Sequence, residues 1–224
     1  MCLLVVAWKS HPRYRLVVAA NRDEFHDRPA APLGWWNDEP RVLAGRDLQA
    51  GGAWLGVSRS GRFGAVTNFR ELERATAPDA LTRGRLVPDF LAADGLPAAL
   101  VAATAGAADR YAGFNLLLAA PDSLHYCSNR VPEPARALAP GIYGLSNHWL
   151  DSPWPKLVRS RERFGRAIES GETVTEACFD LLSDRDPAPA DAMAATGLPP
   201  DLERALSSPF VLHERYGTRC STVV

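Results

Sequence analysis

MCLLVVAWKSHPRYRLVVAANRDEF, residues 1–25, is two apolar, β-rich runs, Cys2–Trp8 and Tyr14–Ala20, joined by KSHPR with its Pro12. Near-continuous apolar runs bounded by turn residues read as buried strands, so the chain opens on a hairpin. Strands this apolar must be covered on both faces. The following NRDEFHDRPAAP is predicted as a strand end passing into a proline-bearing loop, which sets Asn21, Arg22, Asp23 and Glu24 at the rim of the sheet.

Further hairpins follow. Ala53–Val57 and Phe63–Phe69 flank the turn Ser58-Arg59-Ser60-Gly61, and Gly113–Ala120 pairs with Leu124–Ser128 across Pro121-Asp122-Ser123. GIYGLSN (141–147) is predicted as a strand ending on Asn147. Helical spacing appears in two short pieces within 81–107, in 153–170 through Leu157, Val158, Phe164 and Ile168, and in Thr175–Leu182. The Pro- and Ala-rich stretch 184–201 reads as an exposed loop. RYGTRCSTVV (215–224) is a strand with no closing turn, so the sheet's final hairpin is expected beyond it. Antiparallel hairpins at both ends with helices between predict an α+β fold over 1–224 as a single domain, two mainly antiparallel sheets between helix layers in a four-layer αββα sandwich.

Bulk properties narrow the function. The 224 residues are 46% hydrophobic and 23% charged, the balance of an ordinary globular protein. Twenty-five basic against 26 acidic residues provide no electrostatic drive toward nucleic acid or an anionic surface. No apolar run reaches the roughly 18 residues of a membrane span, and the N-terminus lacks a signal peptide's basic and apolar regions. A cytoplasmic protein acting on a small molecule is expected. Four dispersed cysteines and five histidines show no CxxC or HxxxH spacing, so no metal site is expected.

Cys2 asks for an explanation, because a buried strand is served as well by Ala or Val. Methionine aminopeptidase removes Met1 when the second residue is small. Cys2 then carries a thiol and a free α-amine, whose unperturbed pKa of about 7.7–8.0 suits it to act as the thiol's base. The acids of NRDE sit where they can orient that amine, and Arg22 where it can lower the thiol's pKa. Asn68 and Asn147, both predicted at strand ends, are amide donors of the kind that hold an oxyanion.

LVVAANRDEF (16–25), GGAWLGVSRSGRFGAVTNFRE (51–71), GRLVPDFL (84–91), YAGFNLLL (111–118), PGIYGLSNHWLDSPWPKL (140–157) and RYGTRCSTVV resemble the NRDE family, also called the transport and Golgi organisation protein 2 family. That family is similar to the N-terminal nucleophile hydrolases, above all the cysteine branch with penicillin V acylase and bile-salt hydrolases. The resemblance implies Cys2 as nucleophile, Asp23 as the acid near its amine and Arg22 as a cation near the thiol. It further implies Asn68 and Asn147 on the oxyanion side and Arg219 as a late active-site arginine. The hydrolases read Arg-Asn-x-Asp where this chain reads Asn-Arg-Asp-Glu, so Asn21 or Glu24 is expected to fill part of the arginine's role at the substrate.

Two functions compete. One is a hydrolase of carbon–nitrogen bonds other than peptide bonds, cleaving a linear amide, thioester or ester with no cofactor, with Trp35, Trp36 and Trp54 as candidates for the pocket wall. The other, implied by eukaryotic members of the family, is a carrier of haem or of acyl-CoA and lipid, with His26, His148 and Cys2 as the groups able to reach a haem iron.

Overall fold

The structure, a computed structural model, describes residues 2–71, 79–170, 174–193 and 197–224. Its strands are β1 (Cys2–Trp8), β2 (Leu16–Phe25), β3 (Ala30–Trp35), β4 (Val42–Asp47), β5 (Leu55–Ser58), β6 (Phe63–Asn68), β7 (Phe114–Ala120), β8 (Ser123–Ser128), β9 (Ala135–Leu138), β10 (Gly141–Leu145) and β11 (Tyr216–Val223). The helices are α1 (Leu86–Ala92), α2 (Pro97–Gly106), α3 (Pro155–Ser170), α4 (Val174–Leu182) and α5 (Pro200–Leu206). The chain divides into two compact units, Met1–Asp27 with Pro140–Val224, and Arg28–Ala139. Each contains one antiparallel sheet and helices packed on it, the α+β class that the hairpins predict.

In the first unit the strand order is β10-β1-β2-β11. β1 is buried along its whole length. Its Val5 and Ala7, with Val17 and Ala19 of β2, pack against Phe164 and Ile168 of α3 and Cys178, Leu181 and Leu182 of α4. Leu4, Val6, Val18 and Ala20 point to the other face and are buried too, which accounts for the absence of polar alternation. Helix α3 buries Lys156, Ser160, Phe164 and Ile168, a single i, i+4 row, together with Leu157. It sits close on β10 because Gly144 has no side chain: a Cβ there would lie 2.9 Å from Leu157 Cδ1.

The second unit is a meander, β3 to β9 in sequence order. α1 and α2 cover one face, with Val87, Phe90, Leu91 and Val101 against Phe114, Leu116 and Leu118. The β5–β6 turn falls where predicted, and Gly61 takes the left-handed conformation (φ 74°) that the turn requires.

The structure corrects the sequence reading at several elements. β2 runs on through NRDEF to Phe25 instead of entering a loop, because β11 pairs with residues 19–25 and supplies their ladder. β10 stops at Leu145, so Asn147 lies just past the strand. β3, β4 and β9 were not predicted: β3 is an edge strand with an irregular exposure pattern around Pro32 and Gly34, and β9 is a four-residue edge strand. α5 occupies the end of the predicted loop, starting on a proline that suits the first turn of a helix as well as a turn. Residues 194–196 of that loop lie outside the described ones.

Candidate active site

Everything in the first unit's site follows from the register of three strands. Cys2 lies opposite Arg22 on β2, and Arg22 lies opposite Cys220 on β11. Directly opposed residues share a face, so the three form one row across the sheet. β1 begins at this row, which makes its first backbone nitrogen part of the site.

That nitrogen is held. Cys2 N–H donates to Asn147 Oδ1 at 3.1 Å, and Ser146 Oγ donates to the Cys2 carbonyl at 2.8 Å. Paired strand residues run from Leu4–Leu145 outward, so beyond Leu145 the side chains of Ser146 and Asn147 replace the ladder. Ser146 is fully buried and Asn147 is 2% exposed, which makes both bonds costly to lose.

The thiol is neutral at ordinary pH. Burial pushes Cys2 up to about 11; the positive chain-terminal amine opposes this most, the Asp23 charge adds to it, and the Asp23 backbone N–H and Arg22 oppose it. A thiol in such a setting needs a base beside it to become a nucleophile.

Asp23 is 2% exposed and braced from β11. Its Oδ1 accepts a bond from Thr218 Oγ1 at 2.7 Å, its carbonyl accepts from Tyr216 Oη at 2.8 Å, and Thr218 Oγ1 in turn accepts from Val211 N–H at 2.9 Å. Burial raises the Asp23 pKa; Lys156 opposes this most, followed by the chain terminus, the Thr218 bond and Arg22.

The other expected residues are placed as follows. Arg22 forms an ion pair with Glu24 at 3.6 Å. Asn21 is fully buried, donating to the carbonyls of Leu182 (2.8 Å) and Pro209 (2.9 Å) and accepting from Ser221 Oγ (2.7 Å). Its amide is thus spent on tying α4 and residue 209 to the sheet, which leaves the substrate contact expected of it without a group to make it. Arg219 is the extra residue where the β11–β2 register shifts, and it donates to the carbonyls of Phe25 (2.6 Å) and His26 (3.0 Å). The Phe25 carbonyl lies about 10 Å along β2 from Arg22, at some 3.3 Å per residue, and His26 follows just past the strand.

Asn68 and Trp54 belong to the second unit. Asn68 closes β6, exposed and opposite Phe114; Trp54 is half-buried ahead of β5, its carbonyl accepting from Val66 N–H at 2.7 Å. In the same unit Trp36 donates to the Ala44 carbonyl beneath the Arg46 guanidinium, and Trp35 lies under Arg59. His148 packs against Trp149 and Trp154, and His26 meets the His213 carbonyl. Among the described residues there is no group of three or more His, Cys, Asp or Glu able to hold a metal, and no helix long and apolar enough to cross a membrane.

Sequence reasoning missed Ser146, Thr218 and Lys156. Lys156 left a trace, since it stands on the buried i, i+4 row of α3 where an apolar residue is expected. Ser146 and Thr218 left none, being small polar residues whose roles come from long-range pairing.

Fold and site together define an α+β protein of two antiparallel sheets whose second residue is a cysteine with a tethered backbone nitrogen. The chain belongs to the Transport and Golgi organisation 2 family, whose model matches residues 1–224. It is 34% identical over 245 residues to the Transport and Golgi organization 2 homolog of Mus musculus, covering 100% of this chain and 88% of that protein. With the Bos taurus homolog it is 35% identical over 246 residues, at the same coverage. Among solved structures, an N-acylethanolamine-hydrolyzing acid amidase ortholog from Caenorhabditis elegans aligns with TM-score 0.45 and 12% identity, over 81% of this chain and 86% of that one. Penicillin V acylase from Agrobacterium tumefaciens aligns with TM-score 0.46 and 12% identity, over 100% of this chain and 79% of that one.

Proposed function

We propose that this protein is an N-terminal-cysteine hydrolase that cleaves a linear amide, or a thioester or ester, through an acyl-enzyme on Cys2 after loss of Met1. One observation carries the reading: the backbone nitrogen of Cys2 is gripped by a buried asparagine side chain in the row that also holds the thiol. A buried backbone N–H requires an acceptor in any case; once Met1 is gone, the same acceptor holds the nitrogen where a catalytic α-amine needs it.

In the proposed cycle the Cys2 α-amine takes the thiol proton and Sγ attacks the carbonyl carbon. The oxyanion accepts hydrogen bonds from the Asn147 amide. On collapse the C–N bond breaks and the α-ammonium gives its proton to the leaving amine. Water then attacks the thioester, its proton passing to the α-amine, and the acid leaves as the thiol is restored. Asp23 sets the charge beside the amine, and Arg22 favours the thiolate. Arg219 enters this reading through its motif, as a brace for the β2 terminus that carries Asp23.

The test is turnover of a series of N-acyl p-nitroanilides of increasing chain length by Met1-free protein. Release of p-nitroaniline, abolished in Cys2→Ala, with an acyl adduct trapped on the Cys2 peptide, supports the reading. A Cys2→Ala variant that releases p-nitroaniline as fast as the native protein overturns it. Undiminished binding of haem or an acyl-CoA by that variant, with no turnover by the native protein, favours the carrier instead.

A further inference from the structure

Lys156 stands where a lysine is doubly disfavoured. It lies in the first turn of α3, at the positive end of the helix dipole, and its side chain is 3% exposed. A buried ammonium is tolerated only when an anion compensates it. The Asp23 carboxylate, 2% exposed in the same unit, is a group on which Lys156 acts electrostatically. The placement follows from α3 itself: Leu157 sits over Gly144, and the row running back from Ile168 and Phe164 brings Lys156 toward the Cys2 end of the sheet.

We propose that Lys156 is a positioning residue for the Cys2 amine, its ammonium balancing the Asp23 carboxylate so that the thiol–amine pair does not have to hold an extra proton for that purpose. A buried carboxylate beside an α-amine, left alone, draws a proton onto the amine and spoils it as a base. With Lys156 supplying the positive charge, Asp23 orients the amine while the pair gives up its first proton near neutral pH. The groups that act on this cluster are Lys156 from α3, Arg22 from β2, Cys2 from β1, the chain-terminal amine, and Cys220 and the Thr218 hydroxyl from β11. Cys2 and Asp23 titrate as a unit, so the observable is the pair's apparent midpoint. This inference rests on Cys2 working through its own amine.

The experiment is the pH profile of iodoacetamide alkylation at Cys2 in Met1-free protein, followed peptide by peptide so that the other thiols are scored apart. No substrate is needed. Lys156→Met moves the midpoint up by about one pH unit, roughly tenfold in rate below it, while Lys156→Arg stays near the native value. Asp23→Asn moves it down, and Lys156→Met combined with Asp23→Asn brings it back. Should Lys156→Met alone fail to fold, the last two variants decide, and coincident midpoints for them overturn the inference. So does a folded Lys156→Met protein with the native midpoint. A native protein whose Cys2 shows no midpoint below about pH 9 removes instead the amine mechanism on which the inference rests.

Discussion

The backbone nitrogen of Cys2 and the side-chain oxygen of Asn147 lie 3.1 Å apart, joining residues 145 positions distant at the first rung of a buried strand. The bond fixes a nitrogen that becomes the chain's amino group when one residue is removed. Several measurable consequences follow from the surrounding geometry.

Asn147→Leu leaves the Cys2 nitrogen without its acceptor in a buried setting, and Ser146 loses a neighbour with it. The expected loss is about 1–3 kcal/mol in urea denaturation, together with loss of p-nitroanilide turnover. Ser146→Ala removes only the bond to the Cys2 carbonyl and costs about 1 kcal/mol by the same measurement.

Cys127 and Cys178 are each pushed by burial from 9.0 to about 11. Between those values the folded chain keeps protons that the unfolded chain has lost, so folding stability is whole below about pH 9 and falls as pH rises toward 11. Urea midpoints measured across that window decline. Cys178→Ala, lower in absolute stability, shows a shallower decline.

Asn21→Ala removes three hydrogen bonds at once, two of them buried, and leaves the Leu182 and Pro209 carbonyls without that donor. A loss of about 2–4 kcal/mol is expected, with hydrogen exchange accelerated in α4 ahead of the β1–β2 ladder.

Gly144→Ala sets a methyl 2.9 Å from Leu157 Cδ1, an overpacking expected to cost about 1–3 kcal/mol. Leu157→Val relieves the clash, so the double variant is less destabilised than the two losses summed. Phe164→Ala, in the core between α3 and the sheet, costs about 3–5 kcal/mol with no such rescue. Thermal denaturation of the four variants reads all of this.

What was legible in the sequence was what local pattern determines. The β1–β2 hairpin, the Gly61 turn, α3 and α4 all carry apolar periodicity or turn chemistry strong enough to read alone. β3 and β9 are edge strands with no buried face to enforce alternation, and the end of the polar NRDEF stretch, beyond the reach of β1, is strand because β11, nearly 200 residues later, pairs with it. The site divides in the same way. Position and motif in the sequence point to Cys2 and Asp23, and the structure adds the register that sets Arg22 opposite Cys2. The latching of α4 by Asn21 was not legible, because an asparagine that latches a helix and one that meets a ligand look alike in sequence. Lys156 belongs to the site through a helix packed on the sheet, a relationship only the three-dimensional arrangement supplies.

The central claim is that Cys2 works through its own amino group, and the intact mass of the natively expressed, fully active protein tests it most directly. The account predicts a chain lighter by one methionine residue, which gains an acyl group on Cys2 when mixed with its substrate. Full activity in protein that still carries Met1 would contradict it.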